Sequence, residues 1–232
     1  MPSRERAQAL VLAGRVMVDE QKQTKPGTPV ADDATLRLLG EDLKFVGRGG
    51  LKLEGALLHW AIPVEGIACL DIGASTGGFT DCMLQRGAVS VLAIDTGHGQ
   101  IAERLRRDER VTLMERTNAR LLEAESLGGR GIGFFAMDVS FISATLVLPA
   151  VLGALGPAWR GTGVVLVKPQ FEAGREHVGK GGIVRTDEAR QLAVDRVVTA
   201  VHALGGVEMD LIDSPITGME GNHEYLLKAV WV

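Results

Sequence analysis

Acidic residues and one lysine stand at the ends of short apolar runs in this sequence. Asp71 lies near the end of one run, Asp95 ends the next, and Lys168 follows a nearly pure apolar run, Gly163–Val167. A carboxylate in such a place can accept hydrogen bonds from both hydroxyls of a ribose. Burial near other cations lowers the pKa of an amine and makes it a better base; the alternative for Lys168 is a strand-terminal lysine that reaches water. These residue types predict a site that binds a ribose-containing ligand and moves a proton.

The segment that begins at Asp71 is rich in glycine. Residues 71–79 read Asp-Ile-Gly-Ala-Ser-Thr-Gly-Gly-Phe, where an apolar run gives way to a helix. Gly73, Gly77 and Gly78 would let the backbone approach a ligand closely, and the helix N-terminus behind them could hold an anionic group. The dinucleotide fingerprint G-x-G-x-x-G is absent, which argues against a nicotinamide cofactor.

Two other catalytic motifs compete for glycine segments of this chain. Residues 73–77 match the nucleophile elbow G-x-S-x-G, and Asp138 or Asp213 with His223 follow in hydrolase order. The elbow normally lies after several strands and here follows the first, so the hydrolase is the weaker hypothesis. Residues 174–180 spell G-x-x-x-x-G-K, but a glycine stands where a metal-binding Ser or Thr is needed, so we reject an ATPase site.

The elements that must position these residues are short strands alternating with amphipathic helical segments such as Gln100–Arg107 and Glu188–Leu204. This alternation predicts an α/β fold: a doubly wound, mostly parallel, seven-stranded Rossmann-like sheet whose last two strands form a hairpin-like pair. Ligands of such sheets bind beyond the carboxyl ends of the strands at the topological switch point. The seven predicted strands are Ile67–Ile72, Val89–Asp95, Val111–Glu115, Gly133–Met137, Gly163–Val167, Val207–Ser214 and Tyr225–Val232.

Composition excludes several classes of protein. The chain has 232 residues, 46% of them hydrophobic, and a formal charge of −4, so it is not disordered. Two cysteines cannot build a disulfide framework or a four-thiolate metal site, which favours a reducing, cytoplasmic location. The five histidines are too scattered to predict a metal site. The uncharged run 139–159 contains prolines and hydroxyls, which favour a strand end plus a core helix over a membrane span.

The sequence as a whole resembles the TlyA family. Its members have been called hemolysins and are ribosomal RNA 2′-O-methyltransferases of the FtsJ-like class, with a Rossmann-like methyltransferase fold. The resemblance covers nearly the whole chain and rests on these motifs: Phe45–Leu53, Asp71–Thr80, Met114–Asn118, Asp138–Ile142, Lys168–Glu172, Gly179–Arg185, Ser214–Ile216 and Gly221–Tyr225.

The resemblance implies a Lys-Asp-Lys-Glu tetrad and an S-adenosylmethionine site without a metal. In the tetrad, Lys168 would take the proton of the ribose 2′-hydroxyl or stabilise the developing alkoxide. Asp138 and Glu224 would orient Lys168, and Lys52 would tune the pKa of Lys168. Asn118 would lie on the adenine side of the cofactor. The cofactor-binding residues expected from the family are Asp71, Gly73, Ala74, Ser75, Gly77, Gly78, Phe79, Asp95 and Asn118.

The family also carries an RNA-binding module of the S4 type in front of the catalytic domain. Residues 3–18 resemble the second helix and the following strand of that module, so we expect a partial module and linker over residues 1–40, then a methyltransferase domain at 41–232. The partner would be ribosomal RNA or a ribosomal subunit, and the segment Phe171–Arg185 would close over the RNA backbone. The expected RNA-binding residues are Arg4, Arg6, Arg15, Arg48, Arg175, Lys180 and Arg185.

Two other functions stay open on the sequence. One is a hemolysin, or membrane-active protein, and the other is a protein that binds RNA on a methyltransferase fold without turnover. The sequence leaves the target nucleotide, the ribosomal subunit and the oligomeric state open.

Overall fold

The computed structural model describes residues 4–39, 44–218 and 221–232, without the side chains of Glu5 and Arg6. Its contacts divide the chain into two compact units, one up to residue 43 and one from Lys44 to Val232.

The N-terminal unit is a helix and a small antiparallel sheet. The sequence predicts a helix here with Ser3 as its cap and Gly14 at its end. Helix α1 (Arg4–Leu12) ends before Gly14, where the backbone turns left-handed at φ +62°, and Ser3 lies outside the described residues. The strands β1 (Val16–Val18), β2 (Gln21–Gln23) and β3 (Leu36–Leu38) pair in the order β2-β1-β3.

The second unit is built on a seven-stranded sheet, which confirms the predicted fold class. Its strands are β4 (Ala68–Ile72), β5 (Ser90–Ile94), β6 (Val111–Met114), β7 (Ile132–Met137), β8 (Gly161–Val167), β9 (Val207–Asp213) and β10 (Tyr225–Trp231). They lie in the order β6-β5-β4-β7-β8-β10-β9. Neighbours from β6 to β8 are parallel, and β10 runs antiparallel to both β8 and β9.

Helices cover both faces of this sheet, because successive strand residues point to opposite sides. Cys69 of β4 faces a core built with α2 (Gly49–His59) and α3 (Gly78–Gln85). Its neighbour Leu70 faces a second core built with α5 (Leu148–Leu155) and α7 (Asp187–Ala203). The remaining short helices are α4 (Glu103–Arg106) and α6 (Pro169–Glu172).

Two local expectations need correction. The amphipathic segment 100–107 is helical only over α4, because the amide of Ala102 donates to the carbonyl of Thr76 in the glycine segment, at 3.1 Å. The run 139–159 contains no strand and only the eight-residue α5 as an α-helix. Among the described helices, none has the length and apolar character to cross a bilayer. Helix α2 lies in a part of the sequence for which we predicted no helix or strand.

Candidate active site

The residues expected to do chemistry meet at one edge of the large sheet. Asp71 is the fourth residue of β4, and Asp95, Asp138 and Lys168 follow directly after β5, β7 and β8. The four strands are parallel neighbours. The chain leaves β4 towards β5 on one side and reaches β7 on the other, so this edge contains the topological switch point at which ligands of such sheets bind.

Lys168 is buried and held by two oxygens. Its Nζ lies 2.5 Å from Oδ1 of Asp138 and donates a hydrogen bond to Oγ of Ser140 at 2.6 Å. Only 8% of the residue is exposed, so it does not reach into water as a strand-terminal lysine would. Pro169 begins α6 immediately behind it and fixes the direction in which the chain leaves β8.

The other two members of the expected tetrad form a second ion pair. Nζ of Lys52, on α2, donates to Oε2 of Glu224 at 2.5 Å. Tyr225 pairs with Val167 in the β8–β10 register, which places Glu224 beside Lys168 at the sheet edge. Its carboxylate nevertheless bonds to Lys52, so the arrangement is two ion pairs and not one lysine between two acids.

Helix α2 brings the two ion pairs close together. A Cβ added to Gly49, three residues before Lys52, would lie 3.8 Å from Oδ2 of Asp138. A Cβ on Gly78, at the start of α3, would lie 2.9 Å from the amide nitrogen of Gly50. The backbone of α2 therefore packs directly against the glycine segment.

The glycines of this segment make room for the protein itself. A Cβ on Gly73, whose φ is +88°, would lie 2.3 Å from the carbonyl oxygen of Asp138. Together with the approach of Gly78 to α2, this shows that small residues are required by neighbouring backbone. The expectation that they clear space for a ligand is therefore incomplete. Ala74 and Phe79, also expected at the cofactor, are buried in the core beneath the segment.

Asp71 lies beneath the glycine segment and is fully buried. Oγ1 of Thr80 donates to its Oδ2 at 2.6 Å, whereas its Oδ1 has no hydrogen-bond partner among the described residues. Burial raises the pKa of this carboxyl to about 7; Thr80 opposes the shift, and Asp138 and Asp95 add to it. A charge on Asp71 is therefore costly, and below about pH 7 this carboxyl is mostly protonated.

Asp95 ties the glycine segment to the end of β5. Its Oδ2 accepts a hydrogen bond from the amide of Ser75 at 2.7 Å, and its Oδ1 accepts one from the amide of Gly97 at 2.6 Å. A carboxylate has about four lone-pair sites, so capacity for further donors remains. Ser75 itself is exposed, at φ +49°.

Asn118 stands next to Asp95 because the amide of Thr117 donates to the Asp95 carbonyl, at 2.9 Å. Its side chain is exposed, and Oδ1 caps the following turn by accepting from the amide of Arg120 at 3.1 Å. The amide NH2 of Asn118 is not used in that bond.

Sequence reasoning missed three side chains near Lys168. Ser140 bonds to its amine, and Phe141, 93% exposed at φ +63°, packs its ring 5.5 Å from that of Phe171. Buried Glu172 accepts from Oγ of Ser143 at 2.5 Å and from the amide of Ala144 at 2.7 Å. Glu172 thereby joins the segment behind Asp138 to the helix behind Lys168. All lie inside quoted motifs, but neither charge nor periodicity distinguishes their roles.

The expected RNA-binding residues fall into two groups. Arg48, Arg175, Lys180 and Arg185 are exposed in the second unit, and Arg48 donates to the carbonyl of Thr217 at 3.0 Å. Arg4 and Arg15 belong to the N-terminal unit. Arg4 is exposed, and Arg15 donates to the carbonyl of Leu39 at 2.8 Å. The side chain of Arg6 lies outside the described residues.

The hydrolase alternative fails on distance. Nε2 of His223 pairs with Oδ1 of Asp213 at 2.8 Å beside β10 and β9. Three strand spacings, about 14 Å, separate β10 from β4, which precedes Ser75. The histidine therefore cannot activate this serine.

Comparison with known proteins gives one consistent relationship. The FtsJ-like methyltransferase family matches residues 45–230. The chain is 45% identical over 227 residues to the 16S/23S rRNA (cytidine-2′-O)-methyltransferase TlyA of Mycobacterium tuberculosis, covering 97% of this chain and 83% of that protein. It is 41% identical over 226 residues to Hemolysin A of Brachyspira hyodysenteriae, covering 97% and 92%.

A solved structure from Streptococcus thermophilus is 43% identical, with a TM-score of 0.81, and the match covers 100% of this chain and 84% of that one. The sheet order, the strand-end residues and these similarities agree: the chain belongs to the FtsJ-like methyltransferase family, in its TlyA branch.

Proposed function

We propose that this protein transfers the methyl group of S-adenosylmethionine to a ribose 2′-hydroxyl of ribosomal RNA. The observation that carries the proposal is the amine of Lys168, fixed at 2.5 Å from Asp138 and 2.6 Å from Ser140 at the sheet edge that also bears the glycine segment. The name of the M. tuberculosis relative describes this reaction on cytidine.

The residues around the glycine segment suit a positively charged cofactor. Asp71, Asp95 and Asp138 stand at adjacent strand ends, and the buried Oδ1 of Asp71 lacks a hydrogen-bond partner among the described residues. S-adenosylmethionine supplies, when bound, a methyl group on a cationic sulfur. Asp95 would accept the ribose hydroxyls, the exposed part of the glycine segment would lie along the methionine portion, and Asn118 would contact the adenine.

The chain's own task in this reaction is to present the ribose oxygen and remove its proton. Lys168 would hold the 2′-oxygen as the O–CH3 bond forms and the S–CH3 bond breaks. As a neutral amine it would take the hydroxyl proton; as the ammonium of the ion pair it would instead stabilise the alkoxide, and the proton would pass to solvent. Asp138 and Ser140 fix the amine in place, and the Lys52–Glu224 pair positions α2 beside them. Alignment of oxygen, methyl and sulfur provides most of the acceleration in such a transfer.

The substrate side of the site offers cations and an aromatic ring. Arg48, Arg175, Lys180 and Arg185 would contact phosphates, and exposed Phe141 would stack on a base next to the acceptor ribose. Residues 1–40 would add a partial RNA-binding module. A ribosomal substrate and two buried, unpaired cysteines suit the cytoplasm.

Replacing Lys168 tests the proposal. Lys168→Ala should bind S-adenosylmethionine in calorimetry as the parent does, but should lose at least about 100-fold in methyl transfer to ribosomal subunits, as expected for removal of a positioned acid–base group. Lys228→Ala, on β10 away from the site, is the matched control and should keep both activities. A parent protein that binds the cofactor without transfer would be a binding protein. One that does neither and lyses membranes would support the hemolysin alternative.

A further inference from the structure

The segment between α6 and α7 carries several exposed cations. Residues 174–185, here called the basic segment, include Arg175, Lys180 and Arg185, all exposed, against a single acid, Glu176. The segment follows the catalytic lysine by a few residues. Its composition suits a polyanion such as the phosphate backbone of RNA.

The basic segment is held in one conformation by its own backbone and by a small core. The amide of Gly179 donates to the carbonyl of Ile183 at 3.0 Å, which closes a tight turn around Lys180. Val184 is buried with Ala173 and two alanines of α7. These contacts stabilise the segment in the structure, and its closure over RNA stays a prediction.

A buried side chain from outside the segment completes its attachment. Asn222 is 1% exposed. Its Oδ1 accepts a hydrogen bond from the amide of Val184 at 3.1 Å, and its Nδ2 donates to the carbonyl of Gly182 at 2.8 Å. Both functions of this amide are thus used on the basic segment.

Asn222 also belongs to the catalytic edge of the sheet. It lies two residues before Glu224, and its carbonyl accepts from the amide of Gly218 at 2.9 Å. Tyr225, one residue beyond Glu224, pairs with Val167 directly before Lys168. The same short stretch of chain therefore fixes one ion pair and the basic segment.

We infer that Asn222 is a positioning residue for RNA binding, which holds the cations of the basic segment at a set place relative to Lys168. The inference rests on the proposed function. Because the cations are fixed before RNA arrives, binding avoids the entropy cost of ordering the segment. If Asn222 only stabilised its own turn, its loss would leave RNA affinity unchanged.

The experiment measures binding of a fluorescein-labelled single-stranded RNA oligonucleotide at several salt concentrations, with separate calorimetry of S-adenosylmethionine. Generic RNA suffices because phosphate contacts are sequence-independent. The proteins are the parent, Asn222→Ala, the double variant Lys180→Ala/Arg185→Ala, and their combination. Gln191→Ala, which removes an exposed amide on α7, is the matched control.

Asn222→Ala should weaken RNA binding about tenfold, as expected for loss of a buried hydrogen-bonded amide. The slope of log affinity against log salt should fall by about 1.4, as in the double variant, because two phosphate contacts are lost at ~0.7 each on a single strand. Cofactor affinity should stay at the parent value, and the combined variant should be little worse than either alone.

Two results would overturn the inference. The first is that Asn222→Ala keeps the salt slope of the parent while the slope of the double variant falls. The second is that the double variant itself keeps the salt slope of the parent. Failure of the proposed function shows separately, as absent methyl transfer or cofactor binding in the parent. Should Asn222→Ala lack a cooperative thermal transition, Asn222→Leu replaces it, since this uncharged side chain of similar size loses both hydrogen bonds and carries the same expectation.

Discussion

The two ion pairs of the site each join a lysine to a carboxylate over the same distance, but their surroundings differ. Each joins a lysine to an acid at 2.5 Å, and both lysine side chains are 10% exposed. The acids differ: the Glu224 side chain is 3% exposed, whereas that of Asp138 is 19% exposed. Lys168 has an additional partner in Ser140, which is itself exposed.

This difference separates positioning from chemistry. The carboxylate of Asp138 is partly exposed, so a substrate can approach the Lys168–Asp138 pair from the side of the acid, although Oδ1 itself is buried. The Lys52–Glu224 pair is called the sealed pair because its acid is almost fully buried, while its lysine is as exposed as Lys168. The sealed pair can still fix α2, whose N-terminal glycines pack against the glycine segment and next to Asp138. Four residues that look equivalent in a sequence motif therefore divide into an accessible pair and a supporting one.

Breaking the sealed pair should give the largest change in stability. Lys52→Met leaves the buried Glu224 without its cation and should lower the free energy of unfolding by about 3–5 kcal/mol. Lys168→Met should cost less than half as much, because water can reach Asp138. Urea denaturation of both variants measures the contrast, and Lys52→Met/Glu224→Leu should recover most of the stability. Equal losses in the two single variants would remove the distinction between the pairs.

Asp71 sharpens the comparison because it is a buried acid that forms no ion pair with the residues that the structure describes. Its pKa of about 7 lies above the unfolded value near 4, so between these pH values the native state keeps a proton that the unfolded state loses. Stability from this group is complete below about pH 4 and is lost as the pH rises to about 7.

Asp71→Asn cannot ionise, so from about pH 5 to about pH 7 the parent should lose up to ~1.4 kcal/mol per pH unit relative to the variant. Denaturant unfolding at both pH values measures this difference. Asp187→Asn, at a 91% exposed side chain, is the control and should follow the parent. Parallel pH curves for the parent and Asp71→Asn would contradict the assignment of a raised pKa.

Glu172 tests whether the accessible pair depends on the segment behind it. Glu172→Ala leaves the buried amide of Ala144 without its acceptor, which should cost about 1–3 kcal/mol of stability and lower the rate of methyl transfer. Glu172→Gln can still accept from Ala144 and donate to Ser143, so its rate should stay within a few-fold of the parent. Thermal unfolding and single-turnover assays provide both values. Equal rates in the two variants would mean that this contact does not position Asp138.

Ser140 should give the smallest effect. Ser140→Ala removes one hydrogen bond to Lys168 at an exposed position where water can replace it, so the rate should fall about fivefold, or ~1 kcal/mol. Cofactor affinity in calorimetry should not change. A loss as large as that of Lys168→Ala would make Ser140 an essential partner of the amine.

Much of the fold could be predicted from the sequence, because strand periodicity and strand-end residues are local. Each predicted strand of the large sheet agrees with an observed one to within two residues at either end. Helix α2 was missed, since Gly49 and Gly50 at its start are poor helix formers. A Cβ on Gly50 would lie 2.3 Å from the ring of Phe45, so the packing of that ring requires a glycine there. Segment 100–107 was overextended for a related reason, because Thr76 takes the amide of Ala102.

The site was less predictable because its contacts are between distant residues. The motifs brought the four tetrad residues to attention, but nothing in their spacing indicated that Glu224 bonds to Lys52, 172 positions away. The attachment of the basic segment by Asn222, 38 residues from Val184, is equally nonlocal. The glycines were correctly noticed, yet the atoms that require them belong to the protein.

The position of the transferred methyl group tests the central claim most directly. Ribosomal subunits are incubated with the protein and S-adenosylmethionine carrying a labelled methyl group, and the RNA is then hydrolysed in alkali, which needs a free 2′-hydroxyl at each cleaved linkage. The account predicts label in alkali-stable dinucleotides with the parent protein and none with Lys168→Ala. Label in mononucleotides would mean that a base is methylated, which would contradict the role of Lys168 at a ribose oxygen.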